Sequence, residues 1–101
     1  MTTYLISRHS GAVDWMNQSR YAYDEHLTHL NDYSQLKAGD TVIGSLPINI
    51  VADLNDLGVH YLHLSLYIPE HLRGKELSAK QLSNLSAKLE PYKVQRLSEP
   101  T

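Results

Sequence analysis

The chain has 101 residues, 42% of them hydrophobic and 20% charged, with a net charge of −2 at neutral pH. That size and mix fit one small globular domain spanning the chain. The slight acidity excludes a surface that gathers duplex DNA by bulk charge, so an anionic ligand has to be held by a local site. With no cysteine there are no disulfides and no thiolate metal sites, which fits the cytosol. The start of the chain lacks a signal-peptide pattern and no apolar run reaches the length of a membrane span. A cytoplasmic protein without a membrane partner is therefore expected.

In chain order, Tyr4-Leu5-Ile6 reads as a short buried strand. Ser7 or Ser10 caps a helix over about 11–18, with Val13 and Met16 on one face and Trp15 beside them. "SRYAYD" is a connection with some aromatic packing, and "EHLTHL" a second strand with imperfect alternation. "NDYSQLKAGD" is rich in turn residues.

The stretch from Thr41 to Pro69 is the most legible. Thr41-Val42-Ile43 is β-branched and apolar, hence a strand. Gly44-Ser45 breaks it, and Pro47 suits the first turn of a helix. Ile48, Val51, Leu54 and Leu57 recur at helical spacing, and Gly58 stops the helix. From His60 to Tyr67 the pattern alternates, with Leu62, Leu64 and Leu66 on one face and Tyr61, His63, Ser65 and Tyr67 on the other. A strand-helix-strand unit of this kind makes a parallel pair. Beyond Pro69 lies the basic turn "EHLRGKEL"; Ser78 and Gln81 form a capping-box pattern, and Leu82, Leu85 and Leu89 continue a helix that Pro91 ends. "YKVQRL" then alternates as a last strand, and the tail 98–101 is loose. The sum is α/β: a small three-layer Rossmann-like domain with a mostly parallel central sheet.

In such folds ligands sit beyond the carboxyl ends of the strands, at helix N-termini. Two polar turns fall there, "SRHSG" after the first strand and "GSLPIN" after the third, and "RGK" after the fourth can join them. Free backbone N–H groups and the helix dipole favour an anion. Arg8 adds a fork of donors that matches phosphate oxygens, and Ser7, Ser45 and Asn49 add polar side chains. Plainer roles compete. Ser7 and Ser10 serve equally as helix caps, Arg8 pairs as easily with a surface carboxylate such as Asp14, and His9 is an ordinary turn residue.

Other chemistries find less support. No Walker loop, G-x-G-x-x-G fingerprint or G-x-S-x-G elbow occurs. His26 and His29, like His60 and His63, are three apart, which on strands means opposite faces, and no third ligand has a set spacing. No metal and no cofactor is expected. His63 is expected to pack with Tyr61. Glu76 lies near a strand's ligand-prone end and serves as well as a helix-entry charge.

Four stretches in order, "YLISRHSGAVDW", "AGDTVIGSLPINIVADL", "GVHYLHLSL" and "LRGKELS", resemble the small CRISPR-associated proteins of the sixteenth Csx family, found beside type III systems. The resemblance runs from about Thr3 to Tyr92, with Ser10 standing where that family commonly carries a proline. It implies a CARF-like fold and the activity of a ring nuclease, which linearises cyclic oligoadenylate, cyclic tetra-adenylate above all, and switches off type III signalling. A non-catalytic protein that holds the ring and a structural CRISPR subunit are the alternatives. Under the leading reading Arg8 and His9 are catalytic. Ser7, Ser10, Gly11, Gly44, Ser45, Asn49, Arg73 and Lys75 bind the ligand. A symmetric ring also suits a two-fold homodimer.

Overall fold

The structure, a computed structural model, describes residues 1–98. A five-stranded sheet runs in the order β2-β1-β3-β4-β5. Its members are β1 (Thr3–Ile6), β2 (Glu25–Leu27), β3 (Thr41–Gly44), β4 (His60–Ser65) and β5 (Lys88–Tyr92). The first four are mutually parallel, and β5 pairs antiparallel with β4. Helices α1 (Ser10–Gln18), α2 (Ile48–Asp56) and α3 (Ala79–Asn84) connect them.

Strand alternation sends side chains to two apolar clusters, one on each face of the sheet. Leu5, Ile43 and Leu64 meet Ala12, Trp15 and Met16 of α1 and Ala79 and Leu82 of α3. Tyr4, Ile6, Val42 and Tyr61 meet Val51 and Leu54 of α2. The result is the expected three-layer Rossmann-like α/β architecture, with α1 and α3 on one face and α2 on the other. Among the described residues no helix is long and apolar enough to cross a membrane.

The middle of the chain follows its sequence pattern closely. Gly58 takes a left-handed φ of 81° and ends α2. Its amide bonds Asn55 O, while that of Val59 bonds Leu54 O, the paired bonds of a Schellman motif. The capping box at Ser78 and Gln81 is present, with both reciprocal bonds. "EHLTHL" contributes only Glu25–Leu27, a three-residue edge strand, and β4 stops at Ser65 rather than Tyr67.

The C-terminal quarter departs from expectation. α3 ends at Asn84, and Leu89 and Pro91 belong to β5. Ser86 ends the helix in the left-handed region, φ 59°, with the same paired bonds from Ser86 N to Ser83 O and Ala87 N to Leu82 O. Pro91 fits because β5 is an edge strand, where a missing N–H leaves no partner unsatisfied. Of "YKVQRL" only Tyr92 is in a strand. Residues 94–96 are tied instead to α2: Val94 N donates to Asn55 Oδ1 at 2.7 Å, and Arg96 donates to Asp53 Oδ1 at 2.9 Å. The expected loose tail lies, past Ser98, outside the described residues.

Candidate functional site

Parallel pairing of β1 to β4 sets all four carboxyl ends on one edge of the sheet. The chain leaves β1 for β2 on one side and β3 for β4 on the other, so the crevice at the switch point opens beyond β1 and β3. A cavity of about 680 Å³ occupies that edge. Ser7, Arg8 and His9 line it after β1, Thr28 to Leu30 after β2, Gly44 to Pro47 after β3, and Gly74 to Leu77 after β4. That volume suits a small organic ligand.

The β1 turn is held from both sides. Ser7 N donates to Leu27 O at 2.9 Å, and His26 Nε2–H donates to Ser7 O at 2.7 Å. Ser7 Oγ accepts the His9 amide at 3.1 Å. Neither serine therefore caps α1: Ser7 braces the turn, His9 is the N-cap residue without a side-chain cap bond, and Ser10 opens the helix. Among the described residues the amides of Ser10 and Gly11 have no hydrogen-bond partner, and Arg8 has no ion-pair partner, Asp14 included.

His9 does have a partner. Its Nδ1–H donates to Glu76 Oε2 at 2.7 Å, joining the β1 turn to the loop after β4. Next to this bond Gly11 abuts the same loop. A Cβ there would stand 1.6 Å from Leu77 O, so only glycine allows this approach.

The β3 turn is fixed by Tyr61, which is buried. Its Oη donates to Gly44 O and accepts Leu46 N–H, both at 2.9 Å, and takes a third bond from His63 Nδ1–H at 2.7 Å. Burial pushes the Tyr61 hydroxyl above its ordinary pKa, so it stays protonated. His63 packs against Tyr61 as expected, ring centroids 5.7 Å apart. Pro47, the N-cap residue of α2, offers no side-chain cap, and the amides of Ile48 and Asn49 are also without partners among the described residues.

Of the residues expected to bind ligand, Ser7, Gly44, Ser45 and Lys75 line the cavity with Arg8 and His9. Ser45 Oγ donates weakly to Leu64 O at 3.3 Å. Ser10, Gly11, Asn49 and Arg73 are outside the lining. Gly11 is buried against Leu77, Asn49 sits in the first turn of α2, and Arg73 Nε donates to Ile68 O at 3.3 Å. In the sequence Thr28 has no role, His29 stands only as half of a weak metal-ligand pair and Glu76 shows no partner, yet Thr28 and His29 line the cavity and Glu76 bonds His9. The weak alternation of "EHLTHL" hid the first two. Nothing local signals a contact between residues 67 apart.

Residues 4–95 match the protein family described as "Putative CRISPR-associated protein (Cas_VVA1548)". The chain belongs to that family. The match takes in the β1 turn, the β3 turn and the loop carrying Lys75 and Glu76, so every wall of the cavity lies inside the family's span. No curated protein matches the chain, and no solved structure does.

Proposed function

We propose that this CRISPR-associated protein binds a cyclic oligoadenylate, cyclic tetra-adenylate in the first instance, at the carboxyl edge of its sheet and opens the ring. The observation that carries the reading is the cation: among the described residues Arg8 has no ion-pair partner, it stands in the cavity lining, and the nearby helix amides of Ser10 and Gly11 have no partner either. A guanidinium with free amides near it is a donor set that suits phosphate oxygens, which supports the reading.

RNA carries its own nucleophile, so the protein need only align and assist. His9 takes the proton from a ribose 2′-hydroxyl, the 2′-oxygen bonds to phosphorus, and the bond from phosphorus to the 5′-oxygen breaks. The 5′-oxygen takes a proton from solvent, and His9 returns its own. The products are linear chains with a 2′,3′-cyclic phosphate and a free 5′-hydroxyl. Arg8 balances charge on the phosphate, worth roughly 10²–10³ in rate for one well-aimed donor. Ser7, Ser45 and Lys75 hold neighbouring phosphate or ribose groups. Opening the ring removes the alarm of a type III system.

One cavity at one sheet edge faces only part of a four-nucleotide ring, so two copies about a two-fold axis enclose it. Ile48 and Tyr67, 71% and 75% exposed beside this edge, give that contact apolar surface. The test incubates purified protein with labelled cyclic tetra-adenylate in EDTA and separates products by chromatography. Linear product supports the reading. Intact ring in a tight complex leaves binding alone, and no binding removes both. Light scattering with and without ring measures the dimer.

A further inference from the structure

The contact between His9 and Glu76 asks for a reason beyond stability. Both side chains are mostly exposed, 58% and 66%, so as an ion pair it contributes little to folding. Yet the contact is short, 2.7 Å, and joins two loops 67 residues apart in the chain. The loop is already seated by the approach of Leu77 O to Gly11. The bond is therefore not what holds the loop, and its effect falls on the ring of His9.

An ionised carboxylate only accepts hydrogen bonds, so Nδ1 must carry the proton. The neutral ring then has its lone pair at Nε2. An unpartnered imidazole in water prefers the opposite tautomer, with the proton on Nε2, which leaves the wrong nitrogen free. We propose that Glu76 is a positioning residue for His9: it fixes Nδ1–H and leaves Nε2 as the atom that accepts the ribose 2′-hydroxyl proton. When that proton arrives the imidazolium sits against a carboxylate already in place. This inference rests on ring cleavage at this site. The other charged or titratable groups of the cavity lining are Arg8 on the β1 turn, His29 after β2 and Lys75 beside Glu76, and none of them bonds to His9.

Two measurements test it. In single turnover with saturating cyclic tetra-adenylate, Glu76→Ala is expected to slow cleavage on the order of tenfold or more, a fraction of the ~10²–10⁴ a general base supplies, with no loss of ring affinity. Glu76→Gln, whose carbonyl still accepts from Nδ1–H, should recover part of the loss. Nitrogen-15 NMR of the imidazoles should show neutral His9 protonated at Nδ1 in the wild type and shifted towards Nε2 in Glu76→Ala. Cleavage by Glu76→Ala at the wild-type rate overturns the proposal, as does a wild-type His9 protonated at Nε2. If the wild type fails to cut the ring, the cleavage reading falls with it, whereas the NMR result still decides whether Glu76 sets the tautomer.

Discussion

The two ends of the sheet treat their backbone donors in opposite ways. At the amino edge the chain supplies its own carboxylates. Asp40 accepts Thr2 N–H and Lys37 N–H, both at 2.9 Å, and Asp24 accepts Thr3 N–H at 2.8 Å. Asp40 is buried, and those two backbone donors hold its carboxyl below the ordinary carboxylate value. Among the described residues of the carboxyl edge, the amides that open α1 and α2 meet no acceptor and Arg8 has no ion-pair partner. Buried donors are normally satisfied within a protein, and donors left open at a helix start are free for water or a ligand. The difference teaches where to look for function: the satisfied edge holds the fold and the unsatisfied one is free to bind.

The sharpest break of that contrast is Arg8→Ala. It should lower ring turnover by about 10²–10³ and leave the melting temperature nearly unchanged, since an exposed side chain without partners contributes within ~0.5 kcal/mol. Gly11→Ala attacks the same edge through packing. Its methyl meets the Leu77 carbonyl, so a loss of ~1–3 kcal/mol is expected in a denaturant melt, together with weaker ring binding as the Glu76 loop is pushed away. Tyr61→Phe removes three hydrogen bonds beneath the β3 turn. It should cost about 1–3 kcal/mol and weaken ring affinity several-fold in a titration. Asp40→Asn acts on the other edge: thermal stability should fall while ring affinity stays at the wild-type level. A parallel loss of affinity would erase the distinction between the edges.

Acid gives the mildest probe. Asp40 is held below 3.8 by its two backbone donors, and Asp53 by Arg96 and then by Tyr33. A carboxylate with a depressed folded-state pKa stabilises the protein above the unfolded value and loses that contribution as pH falls through the folded value. Unfolding free energy should thus be flat in these two groups above about pH 5 and decline below 3.8. A decline that begins near neutrality would point to other groups.

Much of this is legible in the sequence. The β3-α2-β4 unit declared itself because Pro47, the Ile48-Val51-Leu54 spacing and Gly58 all agree. The same device ends α3, but there Ser86 takes the left-handed position, and serine gives no such signal. Without it, Leu82, Leu85 and Leu89 sustain a helical period past the true end, and Pro91 looks like a helix stop. The site divides along the same line. Arg8 and His9 follow from a polar turn after an apolar strand. Glu76 on His9, and His26 bracing Ser7, depend on contacts between loops distant in sequence. The hydroxyl of Ser7, by its position suited to a cap as well as to a ligand, folds back on the amide of His9.

Pro91 has one more consequence. An open strand edge invites another chain to continue the sheet, and here both edges discourage it. β5 carries a residue with no N–H to offer, and β2 is three residues long, too short to template a neighbour. Strand addition by a second copy is thereby disfavoured. The proposed dimer would instead use the strand-end loops and helices, where Ile48 and Tyr67 are exposed. The same proline that disguises a strand in the sequence blunts the sheet edge at which another chain would otherwise pair.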